Sequence, residues 1–240
     1  MEHNEIENKI KNILHPLLKD EFIYVPEWAT KIKLDVGLSI NAPNSEVWIN
    51  DDPEVCVFGF EPNIFNIEHL HSGEKIWEYH LNPNKIGKSF FYLNCAVSNY
   101  LSENEDFYCT EGDSGTSSLF KPNFFGVKKV IQIPVITLKS FFDRIPWHRF
   151  DCIEHLKVDA QSSDFNVLLG AENYLKDRVI YIDVETSTNG QYSNIETPNN
   201  IKSYLESQDF ECIKWGMNAT FFNKNFNHLK NSIKHIILGE

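Results

Sequence analysis

The chain has 240 residues, 42% of them hydrophobic, and a formal net charge of −12. That length and apolar content suit one compact α/β domain and exclude a disordered chain. The negative charge disfavours a sequence-independent grip on phosphate backbones, so no nucleic-acid partner is expected.

Residues 1–28 read as an N-terminal helical extension, with the main domain at 29–240. Ile6, Ile10, Ile13, Leu14, Leu17 and Leu18 recur at helical spacing over 4–19, and Pro16 should interrupt that helix. The charged start lacks the continuous apolar stretch of a signal peptide. No apolar run approaches the roughly 20 residues that a membrane span needs. Cys56, Cys95, Cys109, Cys152 and Cys212 are odd in number and form no C-x-x-C. They read as free thiols in a reducing cytoplasm, the expected location.

Five apolar runs then read as strands. "KIKLDVG" ends near Asp35 and "EVCVFGFEP" at Glu61. "KSFFYLNCAVS" covers 88–98, "IEHLKVDAQ" ends at Asp159 and "RVIYIDVET" at Glu185. Helices are expected at 44–51 after Pro43, at 63–70 after Pro62, at 163–175 and at 198–208. Strands alternating with helices imply a largely parallel sheet. "FECIKWG" and "NATFFNK" leave room only for a turn near Gly216 to Asn218, so they predict an antiparallel hairpin. Residues 100–150 fit the alternation least. They hold "CTEGDSGTSSLFKPNFFG", a strand-like "KVIQIPVITL" and a short helix-like "KSFFDRI". This reads as an inserted crossover over a sheet edge, and long polar loops of that kind are often functional.

Four predicted strands end in a carboxylate: Asp35, Glu61, Asp159 and Glu185. Ligands of open parallel sheets bind outside those strand ends. Clustered carboxylates repel unless a cationic ligand, a metal or hydroxyl donors offset them. Alternatively, some of them cap the following helices. The first strand leads into Gly37-Leu38-Ser39-Ile40-Asn41-Ala42, which is not the G-x-G-x-x-G of a pyrophosphate cradle. One glycine permits a single close backbone approach. Glu61 can accept the hydroxyls of a ribose. A ribose without phosphates, attached to a cation, fits S-adenosylmethionine.

In order along the chain, "LDVGLSINAPNS", "FGFEPN", "LNCAVSN", "SGTSSLF", "HLKVDAQSSDFNVLLGA" and "YIDVETSTNGQY" resemble FkbM-type methyltransferases over residues 30–225. The resemblance implies a Rossmann-like class I methyltransferase sandwich. Its sheet is mostly parallel and seven-stranded, with a C-terminal antiparallel hairpin. It implies a cofactor site at Asp35, Gly37 and Ser39, at Glu61 with Pro62 and Asn63, and at Asn94, Cys95, Ala96 and Ser98. It places Asp159, Ala160 and Gln161 toward the methyl group and the acceptor. Asn41 stands where a second glycine is usual, and Ser162 where a glycine often follows Asp-x-Gln. Asn tolerates the left-handed region better than most residues, so the first turn can survive.

The resemblance further implies O-methylation, often of sugars, so the expected partner is a small-molecule or glycan acceptor. A sugar hydroxyl must lose its proton as the methyl arrives, which calls for a base or a metal. Asp159 is the first candidate base, with Glu185 nearby and His148 of "PWHRF" behind them. His155 lies inside a predicted strand and reads as a core histidine. Ser117 and Ser118 of the 111–126 loop, Asp164, Tyr192 and Asn194 are candidate acceptor contacts. Asp159, Asp164 and Glu185 offer oxygens to Mg²⁺, a secondary option that is not expected. "HLH" at 69–71 suggests metal ligands but lacks a matching third. The alternative reading is a non-catalytic or degenerate Rossmann-like nucleotide-binding module. An NAD-dependent oxidoreductase ranks behind it, because the glycine fingerprint is missing.

Overall fold

A computed structural model describes residues 2–76, 78–186, 190–193 and 198–229. The chain opens with α1 (Glu2–Leu14), a 3-10 turn at His15–Leu17 containing Pro16, and a small hairpin of β1 (Leu18–Lys19) and β2 (Phe22–Ile23). It continues through β3 (Lys31–Val36), α2 (Pro43–Asp51), β4 (Val55–Phe60), α3 (Ile64–Ser72) and β5 (Phe90–Leu93). Next come β6 (Ala96–Val97), β7 (Ser102–Thr110) and β8 (Val127–Ile136). α4 (Leu138–Phe142), β9 (Ile153–Val158), α5 (Asp164–Leu169), α6 (Tyr174–Arg178) and β10 (Val179–Glu185) follow. The last elements are α7 (Pro198–Ser207), β11 (Phe210–Lys214), β12 (Asn218–Asn223) and a 3-10 stretch at Lys224–Leu229.

The main sheet has seven strands in the order β11-β12-β10-β9-β3-β4-β5. β9, β3, β4 and β5 pair in parallel, as do β10 and β9. β12 runs antiparallel between β10 and β11, which is the expected terminal hairpin. The chain winds outward from β3 in one direction and from β9 in the other. The β3–β9 boundary is therefore the switch point where a crevice opens. β4 is buried along its whole length, which is why "VCVFGF" reads as an unbroken apolar run.

The local chemistry explains the helix limits. Asn63 caps α3 by accepting the Phe65 N–H at 3.1 Å, and Gly73 ends it in the left-handed region. Ile10, Leu14 and Leu17 share one core with Ile23, Phe141, Phe142 and the sheet. Leu38, Trp48, Val57, Ile67, Leu70 and Phe90 form a second core.

Three expectations need correction. The run 88–98 is not one strand: Asn94 donates to the carbonyls of Glu61 (2.7 Å) and Pro62 (3.1 Å), and β6 leaves for another sheet. The helix at 163–175 is broken after Leu169, where a Cβ on Gly170 would lie 2.2 Å from the Ser98 carbonyl oxygen. The inserted region has the expected strand, β8, and short helix, α4, but β7 was not expected as a strand. β7 and β8 form a long antiparallel pair, with β6 alongside β8. Phe107, Cys109, Ile133, Val135 and Ala96 give that small sheet its own core.

Candidate cofactor and acceptor site

A cleft opens at the ends of β3, β4 and β9, where ligands of open parallel sheets bind. Gly37, Ser39, Glu61, Pro62, Asp159 and Gln161 line one part of it. Phe60, Ala96, Val97, Phe107 and Leu119 give it an apolar wall, and Ser114, Gly115 and Ser117 close over it from the 111–126 loop.

Gly37 carries the convergence. Its φ is +81°, and a Cβ there would sit 1.8 Å from the Asp159 carbonyl oxygen. Its N–H donates to the Phe60 carbonyl at 3.0 Å. Three strand ends therefore meet at one residue without a side chain.

Glu61 is 4% exposed. One carboxylate oxygen accepts the Ser39 N–H at 2.9 Å and the other the Asn63 N–H at 2.8 Å. Burial pushes Glu61 up to about 7, against the pull of these bonds, of Asn66 and of Lys157. The native chain thus holds that proton more tightly than an exposed carboxyl with a value of 4.5. The ligand-free stability contributed by this group falls as pH rises between those two values.

Lys157 is one residue that the sequence did not single out. It lies opposite Asp35 in the β3–β9 register. Its ammonium is 2.5 Å from the Gly37 carbonyl, 3.4 Å from Asp35 and 3.6 Å from Asp159. Burial works against its charge, but Asp159 and Asp35 outweigh that and hold it above its ordinary range. The repulsion expected among strand-end carboxylates is thus offset by an internal lysine. Asp35 does not line the cleft; it is 1% exposed, paired with Lys157 and bonded by Ser45 Oγ at 2.6 Å.

The loop after β9 is shaped from below by Asp164. Its carboxylate accepts the N–H groups of Ala160 (2.8 Å) and Ser162 (3.1 Å). It is 1% exposed, so it shapes the loop instead of meeting an acceptor. The Gln161 amide donates to Asp159 at 2.8 Å and to Glu185 at 3.0 Å. The Tyr192 hydroxyl lies 2.8 Å from the Gln161 side-chain oxygen and 2.7 Å from the Thr116 carbonyl. Ser118 Oγ donates to the Gln161 carbonyl at 2.6 Å. Gln161 therefore gathers Asp159, Glu185 and Tyr192 into one knot. Asp159 and Glu185 share its amide, while Asp164 faces the backbone.

The two departures from the glycine pattern resolve differently. Asn41 does not take the left-handed region; Ser39 (φ 56°) and Ala42 (φ 43°) do. Asn41 instead ties the loop to residues 79–81, donating to the Tyr79 carbonyl at 2.8 Å and accepting the Leu81 N–H at 2.9 Å. Ser162 does stand in glycine's conformation, with φ 74°. Ser162→Gly should therefore stabilise the chain by about 0.5–1 kcal/mol, read as a higher urea midpoint with unchanged slope.

Other candidates move away from the cleft. His148 precedes β9 and meets Phe22 edge-on, with ring centroids 6.1 Å apart. It belongs to the opposite end of the sheet from Asp159 and cannot act as its partner base. Asn94 fixes the β4 loop through its two carbonyl bonds. Ser98 is fully buried, and its N–H donates to Ile136. The Asn63 side chain caps α3. Asn194 lies outside the described residues.

Asn66 and Ser163 were not anticipated. Both line the cleft, and Asn66 Oδ1 and Ser163 Oγ are buried without a hydrogen-bond partner. Such orphaned atoms cost stability unless a ligand satisfies them. No Lys or Arg lines the cleft among the described residues. With Glu61 and Asp159 in its lining and no basic side chain, the cleft disfavours a polyanion. Among the described residues, no group of three or more His, Cys, Asp and Glu is placed to hold a metal, and no helix is long and apolar enough to cross a membrane.

A parallel sheet that reverses at β3–β9, an antiparallel β12 between β10 and β11, and a cleft at the switch point define a Rossmann-like methyltransferase fold. The chain belongs to the methyltransferase FkbM domain family, which matches residues 35–212. A solved methyltransferase FkbM from Methylobacillus flagellatus KT is similar, with a TM-score of 0.47 and 12% identity, over 89% of this chain and 52% of that one. The chain thus spans about half the length of that protein. No curated protein matches it.

Proposed function

We propose that the chain transfers a methyl group from S-adenosylmethionine to a hydroxyl of a sugar or glycan. The observation that carries this reading is the cleft around Glu61: a buried acceptor for ribose hydroxyls, two orphaned polar atoms, an apolar wall and no cation for a phosphate. The bound cofactor supplies an electrophilic methyl group. The chain's own residues do the rest. Ser39 and Asn63 hold Glu61 for the ribose, and Gly37 lets the backbone approach. Asp159 borders both the cleft and a second, polar groove lined by Asn44, Asp183, Lys214, Asn218 and Thr220. A hydroxyl entering by that groove meets the Asp159 carboxylate, which takes its proton. Gln161 fixes the carboxylate's orientation.

Calorimetric titration with S-adenosylmethionine, S-adenosylhomocysteine and NAD, each with and without Mg²⁺, tests this. Micromolar binding of both adenosyl compounds and none of NAD supports the reading. No adenosyl binding overturns it. Binding without transfer to any acceptor in a sugar screen would instead favour a non-catalytic module.

Glu61 gives a second test. Its ionised form is the better acceptor, and its value is about 7 in the ligand-free chain. Affinity for S-adenosylhomocysteine should therefore rise as pH increases through about 7 and then level off. Glu61→Gln should weaken binding about 10- to 100-fold and flatten that pH dependence. An unchanged affinity across the same pH range would remove Glu61 from the cofactor site.

A further inference from the structure

We propose that His69 and His80 form a binding site for a divalent transition-metal ion of the zinc type, separate from the cofactor cleft. The HLH stretch does not act as a unit. His71 turns to the Tyr92 hydroxyl, 2.8 Å away. His69, on α3, meets His80 across the loop that follows, with ring centroids 5.6 Å apart and planes at 84°.

The nitrogen atoms point to a ligand. His80 is 4% exposed, and neither of its ring nitrogens has a hydrogen-bond partner among the described residues. His69 Nε2 is buried and equally unpartnered. Buried imidazoles normally find partners. Edge-to-face packing accounts for the ring contact but satisfies none of these three atoms. The 5.6 Å centroid spacing leaves room for an ion about 2.0–2.1 Å from one nitrogen of each ring.

Metal binding takes the neutral form of both rings, each offering a nitrogen lone pair. Glu46 lends negative potential to His80 and Lys75 opposes it, while one Glu46 oxygen is committed to the Asn82 N–H and the Lys85 ammonium, each at 2.9 Å. Water would complete the coordination. Neutral imidazoles suit zinc, copper and nickel, and are poor ligands for magnesium or calcium. The site is also preorganised: Asn41 bonds the residues on either side of His80 through the Tyr79 carbonyl and the Leu81 N–H.

The test is calorimetric titration of the tag-free, chelator-treated full chain with Zn²⁺ and, separately, Mg²⁺. One equivalent of Zn²⁺ should bind at micromolar or tighter Kd, with no Mg²⁺ binding. His80→Ala and His69→Ala should each weaken Zn²⁺ binding at least tenfold, and His71→Ala should leave it unchanged. The more exposed His69 keeps the test decisive if His80→Ala does not fold. Absence of Zn²⁺ binding, full binding by folded His69→Ala, or loss in His71→Ala would each overturn the site.

Discussion

Gly37→Ala should destabilise the chain by more than about 3 kcal/mol and abolish binding of S-adenosylhomocysteine. Two costs combine. A left-handed φ of +81° costs a residue with a Cβ about 1–2 kcal/mol. The Cβ would also lie 1.8 Å from the Asp159 carbonyl oxygen. That atom is backbone and cannot swing aside. The β3 end must separate from the β9 end, which breaks the bond from Asp159 N–H to the Val36 carbonyl, 3.0 Å long. Separation also moves the Lys157 ammonium off the Gly37 carbonyl. Gly112 is the internal control. It has the same φ of +81° with nothing within 4 Å of its Cβ position. Gly112→Ala should therefore cost only the backbone part, about 1–2 kcal/mol. Urea melts of both variants isolate the contact. Equal losses would show that the close approach of β3 and β9 carries no energy.

The buried strands were legible because they are rich in apolar residues and mostly buried on both faces, so β3, β4, β9 and β10 stand out as runs that end in carboxylates. β7 was not, because "SENEDFYCT" is half solvent-facing and its partner β8 starts 17 residues after it ends. The place of the site was readable from the strand-end rule, but the role of each carboxylate was not. Asp35 and Lys157 oppose each other only once the β3–β9 register exists. Nothing in "KIKLDVG" announces that its aspartate is neutralised from another strand. Asp164 likewise looks like one more acid until the loop folds over it and donates two backbone N–H groups. Asn66 and Ser163 carry no motif, and only their unsatisfied burial reveals them. The glycine pattern misled in one place and held in the other. At Asn41 the backbone moved the strain to its neighbours, whereas at Ser162 it kept the conformation and accepted the cost.

Asp159→Ala should lower turnover of a sugar acceptor by about 10²–10⁴-fold while leaving S-adenosylhomocysteine affinity within a few-fold. The expectation follows from position. Asp159 lies on the border between the cofactor cleft and the polar groove. One of its oxygens is fixed by the Gln161 amide at 2.8 Å, and the other stands 3.6 Å from Lys157. Removing the carboxylate leaves Lys157 paired with Asp35 at 3.4 Å, so its buried charge keeps a partner and the fold should survive. Alanine alone cannot separate a base from a residue that merely positions Gln161. Asp159→Asn can, because it keeps the shape and an oxygen for the Gln161 bond but no longer takes a proton. If the asparagine variant loses as much turnover as the alanine variant, the missing function is proton acceptance. If it retains most of its activity, Asp159 acts by holding Gln161, Glu185 and Tyr192 in register, and the proton must leave by another route.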